Sequence, residues 1–222
     1  GAMIPTFARS ASFDRSWPGF AWDEWDIEPY YAEYDPALLS RLALLTGNAN
    51  HALVCACGYW IAERFSSLDP TGDAVAFLDV AAVSTYEAPR YEYFEVDEED
   101  WHGPVRGPQA LMITIAVDAL YCLAEDPEPA IRVCYMYNLC RHVLTPDAGF
   151  LQWFEMSVRR MEALHRIRLV PLAVPTPDVQ HGPPVPVAAF EPGLPYTPES
   201  GRRAFELALE RLDSSNPYLP EF

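Results

Sequence analysis

The sequence predicts an all-α protein: an irregular bundle of about six to seven helices, with an extended N-terminal wrap and a Pro-rich strap before a C-terminal helix. Three observations predict it. Apolar residues recur at three- and four-residue spacings over most of the chain, an Asp-Pro or Thr-Pro pair stands before five such stretches, and strand-like alternation is nearly absent. The pairs are Asp35-Pro36, Asp69-Pro70, Asp126-Pro127, Thr145-Pro146 and Thr197-Pro198. In such a pair the short oxygen side chain accepts an orphan N–H of the first turn, and Pro gives up a donor that would have no partner there.

Residues 1–34 form the wrap, with Gly1-Ala2 before Met3 reading as a tag-cleavage scar and Trp17-Pro18-Gly19 lying in a stretch of little periodicity. Residues 35–169 form the bundle core. From Pro36, Leu38, Leu42 and Leu45 share one stripe, and Gly47 reads as the stop. A helix from about Asn50 to Ser66 stacks Leu53, Ala56, Cys57, Trp60 and Ile61, and an Ala- and Val-rich helix follows from about Asp73 to Tyr86. Arg90–Val96 alternates imperfectly and predicts a short strand or an extended loop.

Gly107-Pro108 opens a nearly all-apolar helix to about Glu125, whose few polar groups include Thr114 and Asp118; it is the candidate for the centre of the bundle. The helix after Asp126 buries Val133, Met136, Tyr137, Cys140 and Val143, and the one after Thr145 buries Leu151, Phe154, Val158 and Met161. The opposite face of the latter, Gln152, Glu155, Arg159, Glu162 and Arg166, carries two Glu-to-Arg pairs four apart and reads as solvated. Residues 170–198 are the strap, with nine prolines between Pro171 and Pro198, and residues 199–222 hold a last amphipathic helix through Phe205, Ala208 and Leu212. Helix starts at 36, 70, 127, 146 and 198 share no period, so a solenoid is not supported.

The chain has 222 residues, half of them hydrophobic, enough to bury a core of domain size without staples. Its formal charge is −17 and every basic residue is Arg, a composition that suggests a GC-rich, bacterial source. Residues 22–100 hold three Arg against 17 acids, so the acidity belongs to the first half. Such a surface repels phosphate backbones and anionic lipid heads and attracts basic proteins, which disfavours nucleic acid as a partner. The longest apolar run, Leu111 to Ala124, is too short to span a bilayer and carries Asp118, so no membrane association is expected. Cys55, Cys57, Cys122, Cys134 and Cys140 lie inside apolar helical patterns, which suits a reducing cytoplasm.

Catalytic patterns are missing: no nucleophile elbow, zinc-protease helix, Walker loop or dinucleotide fingerprint occurs. His51 and Cys55 share one helical face, but Cys57 points away, and Cys134, Cys140 and His142 diverge, so core thiols are expected and neither a metal nor a cofactor is implied. A Cys–His pair such as Cys140 with His142 or His165 stays open as a minor option because triads assemble from distant positions, and paired carboxylates stay equally open because spacing in sequence does not give spacing in space.

Two segments stand out because acids and large aromatics interleave outside the clear helices. The first contains Asp23, Glu24, Trp25 and Asp26; the second contains Glu92, Tyr93, Glu95, Asp97, Glu98, Glu99, Asp100 and Trp101. Trp and Tyr anchor protein interfaces, and surrounding charge steers encounter. The leading expectation is therefore a cytoplasmic binding protein, an immunity protein that neutralises a bacterial toxin with a basic surface, such as a nuclease, by occluding its active site. The alternatives are an enzyme or small-ligand protein with a pocket around Thr114 and Asp118, and a regulatory scaffold using the proline strap. Against all of these stands the plainer outcome, in which the rings face inward and the acids solvate loops.

Overall fold

The computed structural model describes residues 4–9, 19–121, 128–146, 148–168 and 180–221. Among the described residues eight α-helices run in the order α1 (Thr6–Arg9), α2 (Pro36–Leu42), α3 (Gly47–Phe65), α4 (Asp73–Ala81), α5 (Gly103–Tyr121), α6 (Glu128–Val143), α7 (Phe150–Leu164) and α8 (Pro198–Glu210). Single 3-10 turns occur at Glu28–Tyr30 and Val187–Phe190. Among the described residues there is no strand, only an isolated bridge between Leu45 and Arg166, and Arg90–Val96 is extended loop. The architecture is the irregular all-α bundle expected.

The centre, however, is α3 and not α5. Every residue of α3 from Asn48 to Phe65 is buried, whereas Thr114 on α5 is exposed and Asp118 half-buried. Small residues explain it: Ala49, Ala52, Ala56, Gly58 and Ala62 let neighbouring helices approach, and a Cβ on Gly58 would stand 2.8 Å from Leu78 Cδ2. Around this rod Trp60, Phe65, Phe77 and Phe190 are fully buried, each contributing roughly 1.5–3 kcal/mol by leaving water. Three polar side chains of α3 bond to carbonyls outside the helix: Asn48 Nδ2 donates to the Gly182 carbonyl (2.9 Å), Asn50 Nδ2 to the Leu42 carbonyl (2.9 Å), and Arg64 Nε to the Val143 carbonyl (3.1 Å).

Of the five cap pairs, two act as predicted. Asp35 accepts from the Ala37 N–H at 2.9 Å, and Thr197 forms a reciprocal capping box with Ser200. Asp126-Pro127 lies outside the described residues, as do Cys122, Gly1-Ala2, Trp17-Pro18 and residues 170–179 of the strap. Asp69-Pro70 and Thr145-Pro146 instead make turns, and their helices start later, at Asp73 and Phe150, each behind a glycine at positive φ (Gly72, 70°; Gly149, 84°). Gly47 does not stop α2; it is the first residue of α3, capped by Thr46, and is small because His181 and Tyr86 would lie 3.1 Å from its Cβ. Pro108 is interior to α5, which begins at Gly103.

The late start of α7 also moves its apolar register. Phe150, Trp153, Phe154, Ser157, Val158 and Met161 face inward, and Leu151 is 46% exposed, not buried. Ala208 of α8 is likewise exposed, leaving Gly201 and Phe205 as that helix's buried contacts. Glu155 and Glu162 make the predicted pairs with Arg159 and Arg166, but both also clamp Arg41 of α2, at 3.0 and 2.7 Å, so α7 is tied across the bundle.

Candidate acidic docking surface

Aromatic rings fix residues 20–31 to the bundle. Phe20 meets Phe65 edge-on, and Trp22, Tyr30 and His142 of α6 form a stack with centroid spacings of 5.2 and 4.2 Å. Gly107 makes room for it, since a Cβ there would lie 2.5 Å from Trp22 Nε1. Between these anchors the chain turns sharply. The Asp23 N–H donates to the Tyr30 hydroxyl (2.8 Å), the Asp23 carboxylate accepts from the Trp25 N–H (3.0 Å), and the Asp26 N–H donates to the Asp23 carbonyl (3.1 Å). The turn presents Trp25 at its tip, 98% exposed.

The second segment divides by facing. Tyr91 is buried edge-on against Phe77, and Phe94 packs between Phe77 and Tyr218. Glu92, Tyr93 and Glu95 point outward, and Tyr93 is 54% exposed beside Tyr121. Asp97 then caps a turn, its carboxylate accepting from the Glu99 N–H at 2.9 Å, which leaves Glu98, Glu99 and Asp100 in solvent. Trp101 is half-buried beneath the Arg106 guanidinium, 3.8 Å from its ring centroid.

Arg106 locks this loop: it pairs with Asp69 (2.9 Å) and Asp73 (3.1 Å) and donates from Nε to the Asp100 carbonyl (2.9 Å). Burial alone would raise the Asp69 carboxyl, but hydrogen bonds from Thr71, the charge of Arg106 and a bond from Gln109 outweigh it and hold the group below its ordinary value.

The Glu24 carboxylate accepts the Gly103 N–H, joining the two segments across 79 positions of sequence. Residues 23–26 thus sit beside residues 100–103. All nine predicted acids, Asp23, Glu24, Asp26, Glu92, Glu95, Asp97, Glu98, Glu99 and Asp100, are exposed, and of the predicted rings Trp25 and Tyr93 face solvent while Trp101 is turned in. The chemistry this offers is electrostatic and adhesive: a dense negative field around a rigid turn that displays one bare indole.

The other candidates are differently placed. Thr114 faces solvent, and Asp118 pairs with Arg132 of α6 at 3.6 Å, so these two do not line an internal pocket. Cys55, Cys57, Cys134 and Cys140 are buried free thiols; burial pushes Cys134 up to about 12 and Cys55 higher still, the reverse of an activated nucleophile. His51 lies 3.8 Å from Cys55 Sγ and is lowered by burial to about 4. His142 stacks on Tyr30 and His165 bonds the Tyr196 hydroxyl at 2.7 Å, so neither is aimed at Cys140, whose thiol donates to the Cys57 carbonyl. Among the described residues no three His, Cys, Asp or Glu side chains converge as metal ligands, and no helix is long and apolar enough to cross a membrane.

An open cleft of about 740 Å³ lies between residues 29–35, α2, α6 and α7, floored by Tyr137 and Phe154 and bordered by Tyr34, Leu151 and Arg141. No local pattern marks it, because its walls come from three separated segments, residues 29–41, 137–142 and 151–155. Compared with known protein families, with curated proteins and with solved structures, the chain matches none.

Proposed function

We propose that the protein is a cytoplasmic binding protein that captures a basic protein partner through the surface built by residues 22–26 and 92–101, and that the partner is a bacterial toxin whose active site it covers. One observation carries this: two acid-rich segments far apart in sequence are pinned together by the Glu24–Gly103 bond, with nine carboxylates exposed and Trp25 uncovered at the tip. Keeping an indole in water costs burial energy, and a folded chain that holds it there by three hydrogen bonds has it preorganised for contact. Surrounding carboxylates accelerate encounter with a cationic surface, such as a phosphate-binding groove, and repel nucleic acid itself.

The test is capture of the partner on the tagged protein from its native host, followed by association kinetics with the purified pair. Association slows steeply as salt rises if the carboxylates steer it, and replacing Glu98, Glu99 and Asp100 together with Ser lowers the on-rate at low salt. An on-rate unchanged by the triple replacement removes the acidic loop from the interface.

A further inference from the structure

The open cleft shares a residue with the acidic turn. Tyr30 lines the cleft, and its hydroxyl accepts the Asp23 N–H at 2.8 Å, so a protein lying on the 23–26 turn also borders the cleft. We infer that the cleft receives an arginine side chain of that protein, its guanidinium set against the Tyr34 and Tyr137 rings with Glu33 as counter-charge. The inference rests on the reading of the chain as a captor of a basic partner, and it names the side chain by which that partner is gripped.

The charges on the cleft favour a cation. Its carboxylates are Glu33, Asp35 and Glu155, against Arg41 and Arg141. Arg41 is neutralised by Glu155 (3.0 Å) and by Glu162 of the same helix (2.7 Å), while Glu155 also holds Arg159 (3.0 Å). His142 is turned to the wrap, bonding the Ala21 carbonyl at 2.6 Å and stacking on Tyr30. Glu33 and Asp35 then face Arg141 alone, an excess of negative charge that the −17 of the whole chain reinforces. The Glu33 backbone is fixed by Asn138 Nδ2 of α6, yet among the described residues no hydrogen bond or ion pair engages its exposed carboxylate.

The rings select guanidinium among cations. A planar, weakly hydrated guanidinium stacks on aromatic faces, whereas an ammonium keeps its water. Tyr34 is 37% exposed, and Tyr137 is backed by Phe154 at 4.4 Å between centroids. The cleft already shows the contact, for Arg141 Cζ stands 5.5 Å from the Tyr137 ring centroid. Arg141 is exposed, and among the described residues no carboxylate holds it, so it can swing aside for an incoming side chain. A volume of about 740 Å³ admits an arginine side chain with its flanking backbone.

The probes are a blocked tripeptide with arginine between two alanines and its twin carrying citrulline, the neutral isostere, titrated into the full chain in about 0.05 M salt while backbone amide shifts are followed by NMR. The arginine peptide is expected to shift residues 29–41, 137–142 and 151–155 saturably, with a Kd of about 1 mM, and the citrulline peptide to bind about tenfold or more weaker. Glu33→Gln with Tyr34→Ala, both at exposed positions and hence compatible with folding, should together weaken the arginine peptide about tenfold. Arg141→Ser removes a like charge and should strengthen it about twofold or more, whereas a site for an anion would lose its ligand. No saturable shift up to about 10 mM, equal binding of the two peptides, loss of binding in Arg141→Ser, or shifts confined to residues 22–26 and 92–101 overturns the inference. The salt-slowed capture of a basic partner then still stands on its own kinetics. Conversely, an on-rate indifferent to Ser at 98, 99 and 100 removes the acidic loop from the interface and leaves the peptide titration as it was.

Discussion

Replacing Arg106 with Ala removes the side chain that joins α5 to the start of α4 and to the acidic loop. Its guanidinium bonds Asp69, Asp73 and the Asp100 carbonyl and covers Trp101. The Asp69 side chain is 5% exposed and keeps Thr71 and Gln109 as partners after the change, but its charge is then uncompensated. Breaking a buried pair costs about 3–5 kcal/mol; with Arg106 itself 22% exposed, about 2 kcal/mol is the appropriate share. Loss of the contact with Trp101 adds about 0.5–1 kcal/mol.

A total near 3 kcal/mol corresponds to a fall in Tm of about 6–12 °C for a chain of this length. The sign of the pH dependence follows from Asp69. Its folded pKa is depressed, so its contribution is present above the unfolded value near 4 and is lost as pH falls through the folded one. Thermal unfolding at pH 7 should therefore show the full difference between wild type and Arg106→Ala, and at about pH 3 much less of it. Adding Asp69→Asn to Arg106→Ala should recover part of the loss at pH 7, because it removes the stranded charge. A Tm change under about 2 °C, or no recovery in the double variant, refutes Arg106 as the tie that holds the loop.

Other consequences are as definite. Gly107→Ala drives a methyl into Trp22 and should cost about 1–3 kcal/mol, with amide exchange accelerating first in residues 20–31, because that segment must lift to make room. Half-buried Asp79 and buried His51 set opposing pH dependences: desolvation, set against the Tyr59 hydrogen bond, raises the Asp79 carboxyl to about 6, and burial lowers His51 to about 4. Between about pH 4 and 6 folded Asp79 keeps a proton that the unfolded chain has released, so it makes stability fall as pH rises; His51 excludes a proton that the unfolded chain binds, so it makes stability rise. Asp79→Asn should thus expose a gain of about 3 kcal/mol from pH 4 to 6.5, read by urea unfolding, and His51→Gln the reverse slope. Flat profiles in both variants would contradict these burials.

Much of the fold was legible because helical periodicity and short-range caps are local signals. Asp35 and Thr197 cap as their dipeptides predict, and the apolar stripes of α3 and α6 are buried except for Tyr137, which is half-buried at the cleft. The misplacements share a cause: a residue type with two physical uses. Gly47 resembles a helix stop but is small because His181 and Tyr86 crowd it, and Asp69 resembles a cap but accepts from Thr71 and pairs with Arg106. The apolar content of α5 suggested the centre, whereas small residues on α3 decided it by letting other helices close in.

For the candidate site, composition exposed the acids and rings but not their arrangement. Which rings face inward depends on Phe77, Tyr218 and Arg106, and the joining of the two segments depends on one carboxylate and one backbone N–H. No local pattern encodes contacts at such separations. Arg41 and the cleft were hidden for the same reason, since the Glu residues that hold Arg41 read locally as partners of Arg159 and Arg166.

The most direct measurement is the association rate of the captured partner with wild type and with the variant carrying Ser at 98, 99 and 100, from about 0.05 to 0.5 M salt. Steering by this surface predicts a rate that falls about 10-fold or more for the wild type over that range, and a variant that starts slower and depends less on salt. Coincident curves for the two proteins would contradict it, and the exposed carboxylates would then serve hydration alone.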